Sequence, residues 1–433
     1  MHTVYTSRLS SGVSLTCVKT DKFKTGCLSL NLIGQLDRGT AAMSALLPRV
    51  LRRGSKNLPD MESIAAALDG LYGARIEPIV RKKGELQCAG FFADFPDDRF
   101  IPGGSGGILE KAASLMGEIL LSPDMRDGLL RSDYVESEKN NLIDDIRAGI
   151  NDKRGYSVDR LIEEMCAGEA FGVNRLGDED GARKVTAEKL TAHYREVLAS
   201  SRIEIFYCGS ADPLRVETAL KSAFSSLPER TCITAPKTNV VLSPAAGPPR
   251  RFTEALDVQQ GKLAIGFHLG RAMENPDYPA LMVFNAVYGA GVTSKLFLNV
   301  REKLSLCYYA SSMLEKHKGV VLVSSGVEFA KFDEALDEIL AQLGHVKNGE
   351  VSDFELLSAK RSVTTAIKSA MDRPAGLEDL YFDRSVAAVN YDPDELCEGV
   401  EAVTLDDIIQ VASGVETDSI YFLTCKGGGG VDA

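Results

Sequence analysis

Two residues in the second half of the chain, Arg301 and Tyr308, set a permanent guanidinium seven positions before a phenolic donor. Aimed at one carbonyl oxygen, such a pair stabilises the negative charge that builds there when the carbonyl is attacked. By residue type alone the pair has an ordinary alternative, an exposed arginine at a helix end beside a half-buried strand tyrosine. The run before it, Gly289-Ala-Gly291-Val-Thr293-Ser294, offers glycine amides of the kind that bind anions at a helix start. It lacks the Gly-Lys-Ser/Thr ending of a P-loop and the third glycine of a dinucleotide turn, so packing is its expected role. Gly103 to Gly107 spells G-x-S-x-G around Ser105, the pattern of a serine nucleophile elbow. An elbow needs a buried strand in front of it, whereas Pro96 to Pro102 is charged and bounded by prolines, so a flexible loop is expected there.

Metal chemistry finds little to use. The five histidines, His2, His193, His268, His317 and His345, contain no pair at ligand spacing. The nine cysteines are scattered, with no two within four residues, so neither a zinc ribbon nor a redox pair can be drawn. They are expected as reduced core or strand residues. A basic cluster, Arg49, Arg52, Arg53 and Lys56, reads either as a patch for an anionic partner or as a solvated helix end favoured by the helix dipole.

The elements that must position these residues repeat. Gly26 to Gly34 alternates apolar and small residues and runs through a polar gap into Ala41-Ala-Met43-Ser-Ala45-Leu46-Leu47; Gly261 to Gly270 does the same and reaches Pro279-Ala-Leu281-Met-Val283-Phe284. Each is a period-2 strand followed by a helix. Val185 to Leu190 leads to a strand at Arg202 to Tyr207, as Val403 to Ile408 leads to one at Ser419 to Thr424, with Thr186 and Thr404 as helix N-caps. A long helix at Tyr134 to Ile150 has its counterpart at Phe354 to Met371. Three matches in one order imply a tandem duplication. Leu227 to Pro249, with Pro228, Pro236, Pro244, Pro248 and Pro249, reads as the linker between residues 1–226 and 250–433. With 433 residues and 44% hydrophobic side chains, each half can build its own α+β unit.

These residues resemble the insulinase or pitrilysin-type metallopeptidases over nearly the whole chain, a family that is itself a duplicated α+β unit forming half of a clamshell. Zinc-bearing members carry H-x-x-E-H on the first half's early helix and a distant Glu as third ligand. Two His at i and i+4 share a helix face, and the Glu between them serves as general base. In the matching segment, Ala45 to Ser55, the first ligand position is Ala45, the base is Pro48 and the second ligand is Arg49. Glu136 matches the third ligand and cannot hold zinc alone. The resemblance also suggests that Arg49 now approaches Glu136 and takes over part of the metal's charge balance. In active relatives an Arg and a Tyr matching Arg301 and Tyr308 bind the substrate's backbone carbonyl across from the zinc.

The resemblance thus implies a zinc-less subunit of a heterodimeric processing peptidase. Its partner would be a zinc-bearing paralogue and its substrate a peptide, with no cofactor in this chain and zinc in the partner. The competing expectation is an inactive scaffold of the same fold. With 61 acidic against 49 basic residues, a net charge of −12, nucleic acid is not an expected partner. No window is apolar enough for a membrane helix; the nearest, Tyr278 to Ser294, is broken by Pro279, Gly289 and Gly291. Met1 to Cys17 has no apolar core of a secretion signal, so a cytoplasmic protein is expected.

Overall fold

The structure, a computed structural model, describes residues 2–101, 107–230 and 232–426. The G-x-S-x-G run, Ser105 included, therefore lies almost wholly outside the described residues. The strands are β1 (Thr3–Ser10), β2 (Val13–Lys19), β3 (Thr25–Gln35), β4 (Arg75–Lys83), β5 (Leu86–Pro96), β6 (Arg202–Gly209), β7 (Arg250–Leu256), β8 (Gly261–His268), β9 (Cys307–Glu315), β10 (Val320–Val327) and β11 (Glu416–Cys425). The helices that matter for the site are α1 (Ala41–Leu51), α2 (Ser132–Ala148), α3 (Lys153–Met165), α4 (Ala187–Ser200), α5 (Tyr278–Tyr288), α6 (Phe332–Lys347), α7 (Asp353–Ala370), α8 (Pro374–Val386) and α9 (Leu405–Ser413).

Two sheets repeat one topology. The first has the order β1-β2-β6-β3-β5-β4 and the second β9-β10-β8-β11-β7. In each, the strand that precedes the early helix (β3, β8) lies between the strand that ends the repeat (β6, β11) and a hairpin (β4-β5, β9-β10). In each, the last strand takes one parallel neighbour, β2 or β7, among antiparallel ones. The duplicated α+β fold is thus present strand for strand, with β1 as an addition to the first sheet. Thr186 and Thr404 cap α4 and α9 through their side-chain oxygens. The apolar window at Tyr278 becomes α5, an 11-residue helix buried in the second unit. No helix among the described residues is long and apolar enough to cross a membrane.

The compact units do not follow the linear repeat everywhere. One contains Met1–Arg147, Val173–Lys237 and Ala370–Asp383; the other contains Ala148–Gly172, Thr238–Ser369 and Arg384–Ala433. The described residues of the segment expected as linker form no helix or strand between Pro228 and Pro249. Beyond it, each unit borrows a helix from the other half of the chain. In the first unit α8 covers β3 and β4 through charge: Glu378 accepts from Ser29 Oγ at 2.7 Å and from Arg81 Nη1 at 2.7 and 2.9 Å, and Lys83 pairs with Asp383 at 2.7 Å. In the second, α3 covers β8, β10 and β11 mainly through Leu161, Ile162 and Met165, packed on Ala264, Leu322 and Leu423.

Seven of the nine cysteines are buried and all are free thiols; Cys425 is half-buried and Cys232, in the irregular 228–249 segment, is exposed rather than in the core. Burial pushes the Cys17 and Cys88 thiols up to about 12, which leaves them inert at neutral pH.

Candidate functional site

The degenerate metal helix comes first. α1 is a core helix: Leu46, Leu47 and Val50 pack in the first unit's main apolar cluster, each contributing about 1.5–3 kcal/mol by burial. Ala45 is 0% exposed in that same cluster, so the first ligand position holds a methyl group among apolar neighbours. Pro48 sits inside the helix, without the N–H that would reach the carbonyl of Ser44. Arg49 donates from Nη1 to Asp145 Oδ2 at 2.7 Å, and Glu136, more than half exposed, is paired with Lys139 at 2.6 Å. The Arg49–Glu136 pair expected from the sequence does not form. Asp145 lies nine residues further along α2, about 13–14 Å of helix rise, and the long arginine takes that carboxylate instead. The neighbouring arginines are engaged too. Arg53 reaches Glu138 at 3.1 Å and stacks on Tyr134 at 5.2 Å, while Arg52 donates to the Ile76 carbonyl, its pKa lowered by burial. The three arginines are therefore neither a free anion patch nor a solvated helix end, and they tie this end of α1 to its surroundings, while Lys56 is exposed. These donors do not fit zinc, and among the described residues no group of three His, Cys, Asp or Glu could hold a metal.

The segment carrying Arg301 and Tyr308 is built otherwise. Leu296–Lys303 is a π-helix, a winding that in proteins clusters at functional sites. Ser305 follows with φ +52°, a left-handed conformation that is uncommon for a residue with a Cβ. Then β9 begins with a bulge: Cys307 pairs with Val327, and Tyr309 with Gly326, one step along β10, so Tyr308 is an extra residue. The extra residue puts Cys307 and Tyr309, which a regular strand would place on one face, opposite adjacent residues of β10 and so on opposite faces of the sheet. Tyr308 is 63% exposed, and its hydroxyl has no hydrogen-bond partner among the described residues. Arg301 lies over the Phe297 ring at 4.7 Å, with Glu302 3.6 Å away as its ion partner, and no hydrogen bond joins it to Tyr308. Both side chains are thus displayed on one short irregular stretch of a sheet edge. The glycine run before it is a packing device: a Cβ at Gly289 would meet the Ser312 nitrogen of β9 at 2.7 Å.

Three neighbours escape a reading by motif. Tyr309 lies flat enough that a Cβ on Gly326 would meet its ring at 2.6 Å, and Arg154 and Lys262 stand over that ring at 4.4 and 5.7 Å. Their sequence signals are faint: consecutive tyrosines that break the period-2 pattern at β9, and a lysine inside the apolar run of β8. In the first unit, Ser44 Oγ and His193 Nε2 are 2.9 Å apart in a cavity of about 390 Å³. Burial lowers the His193 pKa, but Ser44 lies within α1, its own amide bonded to the Thr40 carbonyl and so not available to an oxyanion.

The fold and the ligand-less α1 define a metallopeptidase architecture without its metal-binding residues. The comparisons with known proteins agree. A family model described as the peptidase M16 inactive domain matches residues 184–363. Over 422 residues the chain is 33% identical to a Bacillus subtilis (strain 168) protein described as "Probable inactive metalloprotease YmfF", covering 97% of this chain and 98% of that one. A conserved protein from Enterococcus faecalis V583 has a similar structure, with TM-score 0.89, 25% identity and coverage of 99% and 100% of the two chains. The peptidase M16 inactive domain from Pseudomonas fluorescens shares the fold, with TM-score 0.79, 16% identity and 99% coverage of both chains. The chain belongs to the M16, insulinase-type, peptidase family and is one of its inactive, zinc-less members.

Proposed function

We propose that this chain is the zinc-free subunit of a two-chain M16 peptidase, in which Arg301 and Tyr308 bind and polarise a peptide carbonyl beside a zinc held by a paralogous partner. The observation that carries this reading is the backbone around Tyr308. A π-helix, a left-handed serine and a bulge together cost stability, and their joint effect is to display an unpaired phenol and a guanidinium at an open edge. A scaffold has no use for that arrangement. β9 is also an edge strand, a place where an extended peptide can pair, with the Ser312 amide already taken by the Gly289 carbonyl at 3.1 Å. The chain's own contribution is to bind, orient and supply two donors to the carbonyl oxygen; the partner supplies the metal.

The test is cleavage of an unstructured peptide library by the purified chain, alone and mixed one to one with the zinc-bearing paralogue of the same host. Cleavage only by the mixture, abolished by Arg301→Ala, is the expected result. A paralogue that cleaves equally well alone would replace this reading with a scaffold role.

A further inference from the structure

Arg154, at the start of α3, donates from Nη2 to Ser311 Oγ at 2.7 Å and lies 4.4 Å from the Tyr309 ring. Lys262 reaches the same ring from β8, with Nζ 5.7 Å from its centre and a hydrogen bond to Gln260. Lys262, Gly326 and Tyr309 form one row across β8, β10 and β9, so both cations stand on a single aromatic floor. Neither makes an ion pair among the described residues, in a chain where acidic residues outnumber basic ones by 61 to 49. The carboxylate whose charge reaches Tyr309, Asp152, accepts from the Arg154 and Gly155 amides as the cap of α3. Burial lowers the Lys262 pKa, and the neighbouring Arg154 lowers it further. Lys262 is partly buried and Arg154 exposed beside it; two such neighbouring like charges repel, and an anion between them removes that repulsion while making charge-assisted hydrogen bonds to both.

We propose that Arg154, Lys262 and Ser311 form a carboxylate-binding subsite, so that the peptide held at Tyr308 carries an acidic group two to three residues from the bound carbonyl. Ser311 is three residues beyond Tyr308, about 10 Å along a strand, which sets that spacing. The carboxylate can be an Asp or Glu side chain or the peptide's own C-terminus. This subsite rests on the peptide-binding reading above and gives it a substrate class.

The chain has no tryptophan, so an extended peptide with one Trp reports its own binding by fluorescence to the whole chain without the partner. Three C-terminally defined peptides are compared at low salt: one with Glu at the spacing and an amidated end, one with Gln there and an amidated end, and the Gln peptide shortened so that a free carboxylate falls at that spacing. The Glu or the free-carboxylate peptide is expected to bind about tenfold tighter than the amidated Gln peptide, and whichever does so identifies the source. Arg154→Gln and Lys262→Gln each shrink that ratio, and Arg154→Glu turns the preference toward a Lys-bearing peptide. Tyr308→Phe weakens all peptides alike and leaves the ratio intact. A ratio near one in the unaltered chain, or one unchanged in both Gln variants, overturns the subsite while leaving carbonyl binding standing. No binding by any peptide ends both.

Discussion

Arg49 and Arg301 are both partly exposed arginines on helices, and their surroundings differ completely. Arg49 is on a regular helix and bonded to Asp145 at 2.7 Å; beside it Arg53 holds Glu138, and Ala45 is sealed in the core. Arg301 is on a π-helix with its own sequence neighbour as its ion partner at 3.6 Å, and Tyr308 is displayed by a bulge with nothing to bond. The first region has been closed: its charged groups satisfy one another across α1 and α2. The second keeps an irregular backbone and an exposed phenol with no hydrogen-bond partner among the described residues, which folding alone does not favour. Regions that satisfy themselves serve stability, and regions held open at a cost serve a ligand.

The sharpest way to break that contrast is to remove the displayed groups. With the zinc-bearing partner, Arg301→Ala and Tyr308→Phe are each expected to lower cleavage about 100- to 1,000-fold, the range for one donor to a developing oxyanion. Thermal melting of the chain should stay within about 0.5 kcal/mol of the original, because neither side chain is buried or well paired. A large loss of stability in either variant would mean that the open region is structural after all.

The closed region should respond in the opposite way. Arg53→Met removes a pair whose carboxylate, on Glu138, is only 12% exposed, together with the stacking on Tyr134. A loss of about 1–3 kcal/mol in denaturant unfolding is expected, with kcat and KM of the mixture unchanged once folded protein is counted. Arg49→Ala, whose partner Asp145 is more exposed, should cost about 0.5–1 kcal/mol. If Arg49→Ala instead abolished cleavage at full stability, the metal helix would still be taking part in the chemistry.

Much of this architecture is legible in the sequence, because strands β3 and β8, the helices after them and the Thr186 and Thr404 caps are set by local periodicity and local hydrogen bonds. The helix exchange is not. An amphipathic stretch such as α3 states that it has an apolar face and not which sheet receives it, and the fit of Glu378 to Ser29 and Arg81 joins residues about 300 or more positions apart. That Ala45, Pro48 and Arg49, the positions the resemblance marks for two ligands and a base, carry no such groups could be read directly, since an absence of donors needs no geometry. The partner of Arg49 could not, because Glu136 and Asp145 lie on one helix and only packing decides between them. At Tyr308 the resemblance pointed to the residue, and the bulge in the register of β9 against β10 could not be read from the sequence.

The smallest expected effects are backbone ones, and they separate the two regions most cleanly. Pro48 in α1 leaves the Ser44 carbonyl without its helical donor. Pro48→Ala should therefore stabilise the chain by about 1 kcal/mol, less than the full helix-interior penalty of proline because Pro48 is buried and some packing is lost. Ser305 carries the matching strain in the open region at φ +52°. Ser305→Gly relieves it for about 0.5–1 kcal/mol in the folded state, but glycine also loosens the unfolded chain, so the net change in melting should be near zero. Its effect should appear instead in catalysis by the mixture. A freer link between the π-helix and the bulge holds Arg301 and Tyr308 less rigidly, and kcat should fall several-fold while KM changes little. Unchanged kcat in Ser305→Gly, measured beside Pro48→Ala as a control for stability, would show that the irregular backbone is not what aims the two donors.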